Sequence, residues 1–314
     1  MKNIEGTSKH RLFYLDMLRM IACLSVVMIS GALMLDEGYE FTRKKWLSRI
    51  GRMAAFYAVW ATAYFLAFNT PWTNPVTLKN ALGQIINGHY HLWFVPMIIG
   101  LYLIVPLLRA WVNEKNVRIV EYFLLLSAIF TFFVPQCIDM LRLAFGWIGA
   151  FQKLLDNMHL KYTAEYTMYF ILGWYLNRGI KRKKLVYALG ILGFCLTFAG
   201  TAFVTTFLRG KGYPFYENNT INVLMHSAAV FTLCRSIFTP DRRPNRILQA
   251  LSGWISRYSL GIYAVHVYVI SMLMPVLGQL YAVAAMLLIF ALTTAISAVL
   301  SLIFSKIPLL QKVV

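Results

Sequence analysis

The chain has 314 residues, of which 59% are hydrophobic and only 13% are charged. Soluble domains carry about 25% charged residues, and a soluble protein of this length could not bury so much apolar surface, so lipid must cover the remainder. The net charge of +18 would suggest a nucleic-acid partner for a soluble protein, but the basic residues stand in short clusters between apolar stretches, which indicates cytoplasmic anchors against anionic lipid head groups and no nucleic-acid partner.

Apolar stretches long enough to cross a bilayer recur along the chain, since a spanning helix needs about 20 such residues. They lie at roughly 17–35, 53–70, 92–112, 119–136, 164–178, 185–207, 219–237, 255–277 and 281–304. Several are short or contain polar residues, which indicates contact with a polar interior. We therefore predict an all-α, polytopic transmembrane helix bundle of about nine spans, with residues 1–314 forming a single integral membrane domain.

The distribution of Lys and Arg predicts the side of the membrane that each loop occupies, because cytoplasmic loops are rich in both residues. With the segment 36–52 inside and alternation after it, the inside segments hold twenty Lys and Arg and the outside segments hold six. This orientation predicts a cytoplasmic C-terminus. A single crossing before 36–52 would leave the basic N-terminal tail outside, so the pattern indicates that one crossing is missing before Arg43.

Several short motifs follow one another in a fixed order and spacing. They are Leu15–Ala22 with Val26–Met28, Met28–Leu33 around Ser30-Gly31, Arg49-Ile50-Gly51-Arg52, His91-Leu92-Trp93-Phe94 followed by Gly100–Leu103 and Pro106-Leu107, and Ser256–Tyr263 with His266. Together they resemble the acyltransferase-3 family of bacterial membrane-bound acyltransferases, in particular the branch that O-acetylates surface polysaccharides. The likeness extends over almost the whole chain.

This resemblance implies a reaction, a place and a set of partners. The implied reaction is transfer of an acetyl group from acetyl-CoA, the co-substrate, to a hydroxyl of a cell-surface polysaccharide or its lipid-linked precursor. The implied place is the bacterial cytoplasmic (inner) membrane, where the partners are membrane lipid and the glycan acceptor. The family pattern also implies ten core helices with both chain ends in the cytoplasm.

One part of the family pattern is absent from this sequence. The pattern implies an Arg in the first helix and a His eleven residues later, but eleven residues after Arg19 stands Ser30, which belongs to the Ser-Gly motif. We interpret this as an internal deletion near residues 27–30 that joins the start of the first helix to the end of the second. The deletion would account for the missing crossing, and it leaves open whether the chain is an active acetyltransferase or an inactive relative.

Asp16 and Arg19 are the candidate catalytic residues that remain in the first span. Two interpretations stay open for them: a local ion pair that reaches out to the cytoplasmic interface, or a site that supports the coenzyme or the base, as the resemblance implies. Ser30 cannot act as a base, and it could act as a nucleophile only beside one. For Ser30 we favour a structural role in the small-residue packing motif Ser-Gly-Ala.

Arg49 and Arg52 stand three residues apart and therefore lie on one helical face. The resemblance favours a clamp in which their fork-shaped guanidinium groups bind the phosphates of acyl-CoA. Anchoring of a cytoplasmic loop is the alternative, and it suffices for the neighbouring Arg43, Lys44 and Lys45.

A second group of candidates is expected near the outer face. His91 and Trp93 begin a span there, where Trp is typical of the aromatic belt and His91 is a candidate contact for the acceptor substrate; His89 has less support. Ser259, Tyr263 and His266 form one helical stripe, which predicts either an interhelical hydrogen-bond network or a pocket wall.

Two further expectations concern function class. The four cysteines show no CxxC or Cys/His zinc spacing, so no metal site is expected. Some relatives of the implied family serve in glycan export, and a polysaccharide exporter or flippase is therefore the alternative function. The R-x-x-R pair weighs mildly against that alternative.

Overall fold

The computed structural model describes residues 23–68, 77–144, 149–207, 213–237, 246–277, 279, 282–308 and 311. In these ranges every regular element is a helix. The chain divides into two compact units, one formed by Met1–Glu40 and Ile104–Gln249 and the other by Phe41–Leu103 and Ala250–Val314. We call them the first and the second unit. That residues 1–314 form a single domain stays a prediction.

The helices are numbered here in chain order. They are α1 (Cys23–Met34), α2 (Arg43–Phe68), α3 (Leu78–Asn87), α4 (Phe94–Trp111), α5 (Val117–Ser127), α6 (Val134–Ala144), α7 (Gly149–Asn157), α8 (Leu160–Asn177), α9 (Lys183–Thr206), α10 (Tyr213–Tyr216), α11 (Ile221–Ile237), α12 (Arg246–Leu277) and α13 (Ala282–Phe304). Short 3₁₀ turns at Tyr90–Trp93 and Glu114–Asn116 precede α4 and α5, and a π-helical segment, Ala128–Phe133, joins α5 to α6.

Seven helical segments of the described residues are long and apolar enough to cross a membrane. They are Arg43–Phe68, Tyr90–Trp111, Glu114–Arg142, Lys183–Thr206, Pro214–Ile237, Ser256–Leu277 and Leu287–Phe304. These segments coincide with seven of the nine predicted spans, and the predicted polytopic helical bundle is confirmed. The predicted span 17–35 falls on α1, which is described from Cys23 onward. The predicted span 164–178 falls on α8, whose helical backbone is kinked at Glu165.

In the first unit, α1 and α8 approach each other so closely that their backbones touch. A Cβ atom on Gly31 would collide with the carbonyl oxygen of Phe170, and one on Gly173 would collide with the carbonyl oxygen of Met28. Small residues permit such contact between membrane helices. Gly31 of the Ser-Gly motif therefore serves helix packing, and Ser30 beside it is half-buried on the same helix.

Polar contacts join several helix ends of the first unit at one face. Glu37, after α1, accepts a hydrogen bond from the backbone N–H of Glu114 at 3.0 Å, and the Glu114 carboxylate binds Arg178 at the end of α8. The Arg109 guanidinium donates to the last carbonyl of α1 at 2.5 Å, and Arg235 of α11 donates to the last carbonyl of α8 at 2.7 Å. The residues that follow α1 and α8 are therefore joined through Glu114 at this face.

In the second unit, α2 is the central element. The indole N–H of Trp46, near its start, donates to the backbone carbonyl of Tyr102 in α4 at 2.7 Å. Farther along α2, the hydroxyl of Tyr64 donates to the carbonyl of Ala264 in α12 at 2.8 Å. The Trp60 ring lies 5.9 Å from the ring of Phe304 of α13. These contacts hold α4, α12 and α13 against one helix.

Candidate functional site

A sharp turn after α3 places two histidines beside α2. Gly88 ends α3 with φ +66°, and its N–H donates to the carbonyls of Gln84 and Ile85 at 3.0 and 3.2 Å. Glycine suits this position because the left-handed region strains other residues, and a Cβ here would also lie 2.6 Å from the hydroxyl oxygen of Tyr57. His89 follows directly, and the 3₁₀ turn that starts at Tyr90 carries His91.

Three histidines of the second unit form a cluster. The Nδ1 atoms of His89 and His91 lie 2.9 Å apart, so one ring donates to the other. The rings of His91 and His266 stand edge to face with centroids 5.4 Å apart. His91 is only 7% exposed, and its Nε2 atom has no hydrogen-bond partner in the described part of the chain. A buried polar atom without a partner is uncommon in proteins.

Tyr263 connects the cluster to α12. Its hydroxyl donates to the backbone carbonyl of His91, and its own carbonyl lies 2.6 Å from Nδ1 of His266. Because a carbonyl can only accept, Nδ1 of His266 carries a proton. These contacts fix the positions of His91 and His266 relative to each other.

Aromatic rings of α2 surround the first two histidines. The Tyr64 ring stacks on His89 with centroids 4.7 Å apart and meets His91 edge-on at the same distance. The Phe68 ring lies 5.3 Å from His89. His89 is half-buried, and this burial lowers its pKa below the usual value of a histidine, so the ring is neutral near pH 7.

A cavity of about 170 Å³ opens beside His89. It is lined by Ala61, Tyr64, Phe65, Gln84, Asn87, Gly88 and His89. One side of the lining is aromatic and comes from α2, while the other carries two amides and an imidazole from α3 and the turn after it. Such a volume holds several waters or a small polar group, given about 30 Å³ per water.

The structure brings some of the predicted outer-face residues together and leaves others apart. His91, Tyr263 and His266 are in mutual contact, as described above. Ser259 lies on the same helix, but its hydroxyl donates to the carbonyl of Ser256 in the preceding turn at 3.0 Å. Trp93 is 43% exposed, with its ring edge-on to Phe94. Neither of these two lines the cavity.

His89 lines the cavity, although the sequence indicates it only weakly as a site residue. The signal that could have found it is local: a second histidine two residues before His91, directly after Asn87-Gly88, a pair that favours a turn with positive φ. Such a turn ends a helix and can aim both imidazoles at the same neighbouring element. Helical periodicity, on which the other candidates depended, does not reveal this arrangement.

The predicted arginine pair lies near the start of α2. Arg49 and Arg52 are both exposed, as are Arg43, Lys44 and Lys45 in the first turn. Gly51, between the pair, has open space on its Cβ side. Five cations within ten residues of one helix give this end of the second unit a strongly positive surface, which can attract an anionic ligand.

The remaining candidates fall elsewhere. Asp16 and Arg19 lie outside the described residues, so the predicted catalytic pair stays a prediction, as does the internal deletion. Ser30 belongs to α1 in the first unit, next to the glycine contact with α8. Within the described ranges, no three His, Cys, Asp or Glu side chains are grouped so that they could hold a metal ion.

Comparison with known proteins gives one family match. The acyltransferase-3 family model, described as an acyltransferase domain, matches residues 27–305. The match covers most of the chain, including the arginine pair, the histidine cluster and the cavity lining. No curated protein and no solved structure shows a significant match.

Proposed function

We propose a specific reaction for this chain, which belongs to the acyltransferase-3 family and is a membrane acyltransferase. The proposed reaction is transfer of an acetyl group from acetyl-CoA to a hydroxyl of a cell-surface polysaccharide or its lipid-linked precursor, in the bacterial inner membrane with the C-terminus in the cytoplasm. The observation that carries it is the arrangement of α2, which has a cationic surface at one end and the histidine-lined cavity toward the other.

The cationic end of α2 is suited to the donor. Arg49 and Arg52 lie one turn apart and are exposed, so both guanidinium groups can bind one multiply charged ligand. Guanidinium forks match phosphate oxygens in a bidentate manner. The phosphates of CoA provide such a ligand, and the basic residues of the preceding turn add long-range attraction.

The length of α2 constrains the donor further. Tyr64 stands twelve positions after Arg52, a rise of about 18 Å in an α-helix. A donor held by its phosphates at the arginines must therefore carry its reactive group at the end of a long arm. A CoA thioester has this form, since the pantetheine arm separates its thioester from its phosphates, whereas a compact donor such as acetyl phosphate does not.

The cavity end is suited to a hydroxylated acceptor. Gln84 and Asn87 supply amides, each able to donate and accept hydrogen bonds, and His89 supplies an imidazole. Tyr64 and Phe65 supply aromatic surface on the opposite side, against which the C–H face of a sugar ring can pack. A mixed lining of this kind binds a sugar better than it binds a purely apolar chain.

The rival hypothesis is that the chain is inactive because the first-helix histidine is absent. The family match starts at residue 27, so Asp16 and Arg19 contribute nothing to it. The inactive hypothesis predicts that acetyl-CoA is not turned over, and the proposed function predicts that it is. Activity therefore decides between them.

The test uses the full chain in nanodiscs, with binding of acetyl-CoA measured by calorimetry and transfer measured with radiolabelled acetyl-CoA and membranes that contain the surface glycan. We expect saturable binding that weakens as salt is raised. The variant R49A/R52A should lose at least tenfold in affinity, whereas the matched variant R43A/K44A should lose little. Equal affinities for the two variants would refute the clamp, and absence of labelled glycan with the intact chain would refute the transfer.

A further inference from the structure

We infer that His89 is the general base of this transfer and that His91 is its positioning residue, which deepens the proposed function and rests on it. The pair would supply the proton acceptor that the family pattern places in the first helix.

His89 is the histidine of the cluster that can reach a substrate. Of the three clustered rings, His89 alone lines the cavity. His91 is 7% exposed, and its Nδ1 atom is used in the contact with His89. Nδ1 of His266 donates to the carbonyl of Tyr263 in its own helix. A base must lie within hydrogen-bond reach of the proton that it removes, and His89 meets that condition for a hydroxyl bound in the cavity.

The two ring nitrogens of His89 have different roles. The Nδ1 contact at 2.9 Å engages one of them with His91, which leaves Nε2 to meet the substrate. When Nδ1 of His89 is the donor and Nδ1 of His91 the acceptor, Nε2 of His89 carries a lone pair. The neighbouring imidazole then fixes both the tautomer and the orientation of the base. This is the role that a carboxylate has in the serine hydrolase triad.

Contacts from α2 and α12 hold His91 in place. Its backbone carbonyl accepts from the Tyr263 hydroxyl, and its ring is enclosed by Tyr64 and His266. A ring so enclosed keeps its orientation while a substrate enters and leaves. Precise orientation of this kind is what a residue that acts through another one needs.

Ionisation is compatible with this assignment. The titratable groups that contact His89 are Tyr64 from α2 and Tyr90 and His91 from the turn, with Tyr263 and His266 of α12 behind His91. Burial lowers the pKa of His89, so the ring is unprotonated at neutral pH and can accept a proton.

The proposed transfer replaces a C–S bond by a C–O bond and moves one proton. The acceptor oxygen attacks the thioester carbonyl carbon as its hydroxyl proton moves to Nε2 of His89, and a C–O bond forms. The C–S bond breaks, and the CoA thiolate leaves with the bonding electron pair. The proton held by His89 is returned to that thiolate, so that CoA leaves as the free thiol and the base is restored.

The experiment compares H89Q with the intact chain in nanodiscs, using radiolabelled acetyl-CoA and glycan-bearing membranes. Loss of a general base typically lowers a rate about 10²–10⁴-fold, so we expect a fall in this range with acetyl-CoA affinity unchanged. H226Q is the control, because His226 is also a half-buried histidine but belongs to α11 of the first unit. It should transfer at the rate of the intact chain.

Two measurements separate a base from a structural residue. The rate of the intact chain should rise with pH through the lowered pKa of His89 and level off near neutrality, and H91Q should move this rise along the pH axis. Added imidazole should restore part of the rate in H89A, because the cavity has room for it. If the intact chain transfers acetyl groups and H89Q keeps its rate, the base assignment is wrong while the proposed function stands. If the intact chain transfers nothing, the proposed function itself fails.

Discussion

Two buried polar side chains, Asn222 of the first unit and His91 of the second, have opposite environments. In the first unit, Asn222 is fully buried and its side chain is satisfied by Gln136 at 2.7 Å, by Thr197 at 2.7 Å and by the carbonyl of Phe215 at 2.5 Å. In the second unit, His91 is buried, its Nε2 atom has no hydrogen-bond partner among the described residues, and its Nδ1 atom contacts His89, which lines the cavity. A satisfied network stabilises a fold, whereas a buried polar atom without a partner is uncommon and calls for a functional explanation.

The glycine contacts extend this comparison. Where α1 meets α8, there is no room for even a Cβ atom. Around His89, by contrast, a cavity of about 170 Å³ is left open between α2 and α3. The contact between α1 and α8 is therefore completely filled, whereas the region around His89 has space for a ligand.

The largest expected loss of stability comes from enlarging Gly31 at the contact between α1 and α8. The G31L side chain must displace the backbone of α8, because the atom it meets is the Phe170 carbonyl oxygen and not a flexible side chain. Overpacking costs about 1–3 kcal/mol and sometimes more, and we expect the upper end here. Thermal unfolding in detergent measures the loss. G100L is the control, since Gly100 has nothing within 4 Å of its Cβ position; an equal loss for both variants would contradict the packing account.

The next change removes the satisfied network of the first unit. N222L leaves the Gln136 amide and the Thr197 hydroxyl without their buried partner, which costs about 1–3 kcal/mol. The unfolding midpoint should fall, while acetyl-CoA affinity, which depends on α2, should stay the same. T205V removes a hydroxyl that bonds only within its own exposed helix turn and should change little. A loss of acetyl-CoA affinity in N222L would show that the network is not purely structural.

The smallest expected effect comes from removing the hydroxyl of Tyr263 in the second unit. Y263F removes the hydroxyl that holds the His91 carbonyl, and a net hydrogen bond is worth about 1 kcal/mol. If His91 positions the base, this should lower the transfer rate about fivefold with little change in unfolding temperature. Y258F, on the same helix, is the comparison variant. A drop in stability without a change in rate would assign Tyr263 to packing only.

The sequence predicts the spanning helices well, because a membrane helix must be continuously apolar and that requirement is local. The stretches at 92–112 and 185–207, for example, fall on spanning helices of the structure. The small-residue motif at Ser30-Gly31 also indicates helix packing. Its partner, Gly173, lies more than a hundred residues away, and nothing local in the sequence identifies it.

The candidate site is predicted only in part for a related reason. The stripe of Tyr263 and His266 follows helical periodicity, and His91 stands at the start of an apolar span. The sequence therefore indicates these two parts of the cluster separately. Their meeting depends on how α12 packs beside α2 and α4. His89 depends on a non-helical turn at Gly88, whose geometry no periodic pattern describes.

The common face of the first unit also determines where α7 lies. The long helical segment Glu114–Arg142 begins at that face, and α8 ends there, so α7 connects the far ends of these two helices. Phe151, Leu154 and Met158 are all exposed there. Exposed apolar side chains of this kind favour the boundary between head groups and acyl chains, so contact of α7 with that boundary would limit how far the two flanking helices can shift along the membrane normal.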